Sequence, residues 1–199
     1  MKKTFVIIFF SIFIKSFTQE YKIPQFNFKS TTDKLNTYIS LLKIKDKQAL
    51  IIKIETSSYW LKGLFSNFLV FENNGKVTFY ECFIPPDFEK KLKINKRKIR
   101  KSKRKFYWDF LQNCFKNDRF SIVQSKLNIR SKPNKDGTKS VMVISDGTTY
   151  SLEITQGNKF SAYETYSPTT FIEIKFPGWK ERKKIVDLMN DIYNLIEKH

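Results

Sequence analysis

Between residues 33 and 43 the apolar side chains Leu35, Tyr38, Ile39 and Leu42 recur three and four positions apart. This spacing predicts a helix, with Thr32 or Asp33 capping its start. The next apolar run, ALIIKIE at 49–55, is short and β-branched and predicts a strand. In NFLVFENNGKVTFYECF two segments flank Asn73-Asn74-Gly75, the pattern of a β-hairpin, and Pro85-Pro86 ends the second strand. Phe106, Tyr107, Phe110, Leu111, Cys114 and Phe115 fit one broad helical face. A polar connector, SKPNKDGTKS at 131–140, leads to VMVISDGTTYSLEITQGNKFSAYETY, which predicts a three-stranded meander. Turns at Asp146-Gly147 and at Gln156-Gly157-Asn158 set Val143 opposite Tyr150, Val141 opposite Leu152, Ile154 opposite Phe160 and Leu152 opposite Ala162. That register gathers the apolar residues on one face, whereas a two-residue second turn would set Ile154 against Ser161 and is rejected for that reason. It also brings Glu164 beside Tyr150 on the apolar face. FIEIKF at 171–176 predicts a further strand. After Pro177-Gly178, the stripe Ile185, Leu188, Met189, Ile192, Leu195 and Ile196 predicts a closing helix. Glu181 in its first turn and Lys198-His199 at its end suit the helix dipole. The sum is an α+β domain: an antiparallel sheet, hairpin plus three-stranded meander, with helices packed on one face.

The N-terminus has a different pattern. MKKTFVIIFFSIFIKSFTQE sets two lysines before an apolar stretch, Phe5–Ile14, interrupted only by Ser11. Ser16 and Thr18 follow, and the layout is that of a cleavable signal peptide cut near Thr18 or Gln19. A membrane-spanning helix needs about 20 apolar residues, and Lys15 stops this one short. The expected organisation is a leader at 1–19 and a single domain at 20–199, secreted or periplasmic, with no transmembrane helix after cleavage.

Charge adds one local feature. The formal net charge is +18. Three of these charges lie in the leader and eleven in KKLKINKRKIRKSKRK at 90–105, leaving four for everything else. The basicity therefore belongs to one segment. Leu92, Ile94 and Ile99 are its only apolar residues, too few to fix a period, and a helix charged all round is disfavoured by i,i+4 repulsion. A short strand or irregular segment at 92–100 is expected, then a helix from about Ser102 or Lys103. Two readings of the run stand side by side. One is a solvated lysine-rich face. The other is a polyanion-binding surface built on Lys96, Arg97, Lys98, Arg100, Lys101, Lys103 and Arg104, whose affinity falls steeply with salt. For an exported chain the partners implied are anionic envelope lipid headgroups, lipopolysaccharide phosphates or acidic polysaccharide, and no nucleic acid.

Catalytic chemistry is narrowed mainly by elimination. The single histidine is the terminal His199, poorly suited to a triad or a Cys-His dyad, both of which hold an imidazole in packed geometry. One histidine and two cysteines nearly exclude a zinc site, and neither GxGxxG nor GxxxxGK[ST] occurs. No metal and no cofactor is expected. Asn134-Lys135-Asp136-Gly137 resembles the middle of a calcium loop, but Lys132 and Val143 would stand at its first and last ligand positions. Ser40-Leu41-Leu42-Lys43 matches S-x-x-K, yet no K-T-G follows and the order fits a plain helix. Cys82 and Cys114 have two equal readings. One is a disulfide closing a loop of about thirty residues and stabilising by about 3–4 kcal/mol, and the other is a pair of buried free thiols. A carboxylate-only hydrolase survives elimination. Glu164 is its one positional candidate, since burial among apolar neighbours would raise its pKa, and no second acid accompanies it.

The Lys2-Lys3 leader ending in Phe17-Thr18-Gln19, the run Ser145-Asp146-Gly147-Thr148-Thr149-Tyr150, Ser167-Pro168 and the C-terminal helix Glu181 to Ile196 occur in that order. That order resembles small secreted proteins of Gram-negative bacteria that have no assigned activity. The resemblance implies a compartment and no mechanism. Three functional readings follow: a non-enzymatic binding or structural domain of the cell envelope, a sharper form of it with 90–105 as a polyanion-binding surface, and a carboxylate-dependent glycan hydrolase.

Overall fold

A computed structural model describes residues 21–31, 34–58, 60, 63–85 and 91–198. The expected leader at 1–19, the capping candidates Thr32 and Asp33, Pro86, Lys90 and His199 lie outside them. In chain order the elements are β1 (Ser30–Thr31), α1 (Lys34–Leu42), β2 (Leu50–Ser58), β3 (Leu64–Phe71), β4 (Val77–Ile84), β5 (Lys93–Lys98), a 3-10 turn (Lys101–Lys103) and α2 (Arg104–Lys116). There follow α3 (Gln124–Leu127), β6 (Ser131–Pro133), β7 (Lys139–Val141), β8 (Thr148–Gln156), β9 (Lys159–Tyr166), α4 (Pro168–Glu173) and α5 (Trp179–Lys198). The fold is α+β. Seven antiparallel strands form one sheet in the order β1-β9-β8-β2-β3-β4-β5, and β6 and β7 pair separately.

β2 is apolar on consecutive positions because both of its faces are covered. Leu50, Ile52 and Ile54 enter one core with Leu69, Phe71, Val77 and Phe79, while Ile51 enters another with Phe68, Val70 and Tyr80. The larger core is closed by Tyr107, Trp108, Leu111 and Cys114 of α2 and by Ile185, Leu188, Met189 and Ile192 of α5. Leu42 of α1, with Tyr38 and Ile39 beside it, covers part of the opposite face. Helices thus lie on both faces, which corrects the one-sided expectation: α1 carries its own apolar stripe, and the strands have apolar residues on two sides to bury.

The β3–β4 hairpin forms as expected. Gly75 adopts φ +77° at the end of the loop 73–75, and its N–H donates to the Glu72 carbonyl at 2.9 Å. This is the left-handed position that such a loop reserves for glycine. A Cβ there would overlap the Tyr21 ring. Trp108 Nε1–H donates to the Gly75 carbonyl at 3.1 Å, so α2 is anchored to this turn.

Three expectations for the second half of the chain are corrected. The meander over 141–166 loses its first strand: Val141 pairs with Ser131 in the small hairpin, and Val141 and Val143 are exposed. The reason is that β8 has two edges, and β2 and β9 occupy both. The β8–β9 turn contains only Gly157 and Asn158, so Ile154 faces Ser161 and Leu152 faces Tyr163, the register rejected from the sequence. Ser161 is tolerated there because its Oγ accepts the Lys29 N–H at 3.1 Å. Finally, the first half of FIEIKF is helical. Ser167 takes φ +47°, Pro168 opens α4, and Phe171 stacks edge-on to Phe176 at 5.3 Å. Proline in the first helical turn is favoured because its missing N–H costs nothing there.

Candidate polyanion-binding edge

The basic run becomes β5, the 3-10 turn and the opening of α2. Among the described residues β5 is the outer strand of the sheet, paired with β4 alone, and all six of its side chains are exposed. An outer strand presents unpaired main-chain groups to solvent, and closely spaced lysines keep other strands from adding to it. This accounts physically for part of the charge. Its side chains alternate between faces: Lys96 and Lys98 stand with Tyr80 and Thr78, whereas Lys93 and Arg97 stand with Phe83 and Phe79. Lys96 Nζ lies 5.1 Å from the centre of the Tyr80 ring. Arg97 lies 5.3 Å over Phe79 and donates from Nη2 to the Ile196 carbonyl at 2.7 Å, where a cation complements the negative end of α5.

The other half of the run has no such account. Ile99 is buried in the larger core, and its N–H donates to the Val77 carbonyl at 3.0 Å, which fixes the backbone between β5 and the turn. Arg100 and Lys101 are exposed and Lys103 is half-buried. Lys103 caps α2 with no side-chain hydrogen bond, and the first turn holds no acidic residue. The positive end of a helix therefore meets Lys101, Lys103, Arg104 and Lys105, each unfavourable there by about 0.3–1 kcal/mol. Arg104 donates from Nε to the Ile99 carbonyl at 3.3 Å, and Lys105 pairs with Asp109 at 2.5 Å. Among the described residues no carboxylate pairs with Lys96, Lys98, Arg100, Lys101 or Lys103. The strand edge and the helix start thus place the seven candidate residues along one edge of the sheet, Lys96 and Lys98 on the face opposite Arg97, with Arg97 and Arg104 already engaged by carbonyls.

The remaining sequence candidates are dispersed. Cys82 belongs to the core under α1 and Cys114 to the core under α2, so the sheet separates them and both are free thiols. A disulfide needs Cα atoms within about 7 Å, and the disulfide alternative gives way to the buried-thiol one. Desolvation pushes both thiols up to about 11. Glu164 is exposed and pairs with Ser151, not with Tyr150; the shorter turn moves it off the face that buries Tyr163. Its main chain is held instead by Gln124, whose amide accepts from the Glu164 N–H at 3.0 Å and donates to its carbonyl at 2.8 Å. Ser40 and Lys43 sit at the end of α1, with Lys43 just past it at φ +52°. Asn134–Gly137 forms the β6–β7 turn, closed by the Gly137 N–H on the Asn134 carbonyl.

One polar network was missed. On the α1 side of the sheet, Lys53 Nζ lies 2.7 Å from Glu55 Oε2, which also accepts from the Ser66 hydroxyl. Buried Glu153 accepts a hydrogen bond from the Tyr38 hydroxyl, whose pKa is raised chiefly by desolvation and then by Glu153. The alternation of Lys53 and Glu55 with Ile52 and Ile54 was the available signal, since period two puts the pair on one face. The network is internally paired, as buried charges require. Among the described residues no three acidic, cysteine or histidine side chains come together as a metal centre, and no helix is long and apolar enough to cross a membrane. Compared with known protein families and with characterised proteins, the chain matches none.

Proposed function

We propose that this protein is a non-catalytic binding protein of the cell envelope that holds an extended polyanion along β5 and the start of α2. The observation that carries the proposal is the accumulation of Arg100, Lys101, Lys103 and Arg104 at the positive end of a helix, on a backbone pinned by Ile99. That placement costs folding free energy, and a bound phosphate or carboxylate offsets it. Edge protection alone explains lysines on β5; it does not explain cations beyond the end of the strand. The leader pattern at 1–19 supports an envelope destination, where anionic lipid headgroups and acidic polysaccharide are the matching partners.

The test is salt elution from immobilised heparin. Lys98→Gln, Arg100→Gln, Lys101→Gln and Lys103→Gln together are expected to move elution to clearly lower salt, while four Lys→Gln changes on α5 and the β6–β7 hairpin move it much less. Equal shifts for the two sets would reduce the binding to overall charge and overturn the proposal. The hydrolase reading gains no support from the geometry: Glu164 stands in solvent, and the Glu55 carboxylate is held by Lys53 and Ser66.

A further inference from the structure

A second surface, distant in the strand order from β5, has a different chemistry. The segment 25–28, Ile39 of α1, Lys47-Gln48 ahead of β2 and the β8–β9 turn enclose an open depression of about 610 Å³. That volume falls in the range of about 300–1,000 Å³ in which small ligands are held. Among the described residues its lining includes five carboxamide side chains, Gln25, Asn27, Gln48, Gln156 and Asn158, and no carboxylate. The chain has only six glutamines, and three of them converge here from remote parts of the sequence. Gln156 Nε2 makes one long hydrogen bond, 3.4 Å, to the Gln48 carbonyl. The side-chain amides of Gln25, Asn27, Gln48 and Asn158 have no hydrogen-bond partner among the described residues.

A carboxamide presents two donors and an acceptor from one side chain. Several of them around a concave surface match a ligand whose every edge carries groups that both donate and accept. Sugar hydroxyls are such groups. Phe26 and Phe28, edge-on to each other at 4.7 Å, belong to the same wall. Phe26 is braced from behind by Phe115 and Phe120, at 5.7 and 5.9 Å. Rigid aromatic faces accept the C–H faces of a sugar ring, which would otherwise lie against water. Lys47 and Lys159 also line it, and with no acid opposite them among the described residues they favour a ligand that carries carboxylates. Two features argue against other classes. The described wall is open and mainly polar, which suits an apolar peptide side chain poorly, and most of its donors are neutral amides, which hold a phosphate chain less well than guanidinium groups do.

We infer that this depression is a binding site for a carboxylate-bearing oligosaccharide. The inference is independent of the basic corner, because β8–β9 and β5 lie on opposite sides of the sheet's centre. The experiment is calorimetric titration of the full chain with tetragalacturonate and, as the neutral control, chitotetraose. Tetragalacturonate is expected to bind with a Kd of about 1 mM or tighter, and Asn27→Ala with Gln156→Ala to weaken it about tenfold or more with an unchanged thermal midpoint. The quadruple variant of the basic corner is expected to retain that binding. Loss of binding only in the basic-corner variant would move the site there and overturn the inference. Failure of both sugars to bind, or equal affinity for the neutral one, would overturn it as well. Neither result bears on heparin elution, so the two proposals fail separately.

Discussion

Arg182 is the most informative residue to remove. It lies in the first half of α5 with 1% of its surface exposed, and no carboxylate pairs with it among the described residues. Its guanidinium is instead satisfied by main-chain oxygens: Nη1 donates to Pro177 at 2.8 Å, and Nη2 to Leu127 at 2.7 Å and Ile129 at 2.6 Å. The group also stacks on Phe171 at 4.1 Å. One side chain thereby joins three stretches without regular pairing of their own: the exit of α3, the approach to α5, and α4. Replacement by methionine keeps most of the volume and strands the buried Leu127 carbonyl and the partly buried Pro177 and Ile129 carbonyls, each costing up to about 1–3 kcal/mol. Relief from burying an unpaired cation returns part of this, and Nε, which has no partner, contributes nothing to lose. A net loss of about 3 kcal/mol is expected for Arg182→Met. With a urea slope of about 2 kcal/mol/M, the unfolding midpoint falls by about 1.5 M. Arg182→Lys recovers less than half of the loss, because a single ammonium cannot reach three oxygens on two segments and also stack on Phe171. Equilibrium urea unfolding followed by tryptophan fluorescence measures both variants. A midpoint shift below about 0.5 M at unchanged slope would show that the carbonyls find water or new partners, and the bridging argument would fail.

Two further predictions follow from neighbouring geometry. Gly178 has φ +84°, and a Cβ there would overlap the Lys126 carbonyl oxygen and crowd Arg182, so Gly178→Ala is expected to cost at least about 2 kcal/mol by the same assay; a loss under about 0.5 kcal/mol would refute that contact. Cys82 and Cys114 are buried, with thiols raised to about 11, so native protein is expected to leave both unreacted with a thiol reagent near pH 8 and to expose two on denaturation. A single band of unchanged mobility with and without reductant is the accompanying result, and fewer than two titratable thiols in freshly denatured, unreduced protein would contradict the separation of the two cores.

Much of the fold was legible because several segments satisfy local and tertiary demands together. The α1 stripe, the Asn-Asn-Gly turn and the α5 stripe each specify their element by period and turn chemistry alone. The meander failed for a reason that no single segment contains. Pairing rules for Val141–Tyr166 assumed that β8 seeks its partners nearby, whereas β2, nearly a hundred residues earlier, takes one of its edges. That pairing buries Leu152, Glu153, Ile154 and Thr155 in succession, so β8 has two covered faces and an alternation test cannot choose its register. The same blindness hid Ser161, which reads as a mismatch opposite Ile154 until the Lys29 amide arrives to use it.

The two candidate sites divide along the same line. The basic corner is one continuous stretch of chain, so charge counting found it, and the structure adds what counting lacks: which cations are already engaged, which stand against a helix's positive end, and that Ile99 holds them in place. The carboxamide depression is made of residues that individually mean nothing in sequence, since Asn and Gln are ordinary on loops. They acquire meaning only when the N-terminal segment is laid across the sheet and β1 pairs with β9, bringing residues 25–28 to the turn at 157–158. Disrupting that placement therefore separates the two. Phe26→Ala removes the aromatic that fixes 25–28 against Phe115 and Phe120, and it is expected to abolish binding in the depression while leaving heparin elution where it was. A parallel loss of both would mean that the two surfaces are coupled through the core, contrary to their placement at opposite ends of the strand order.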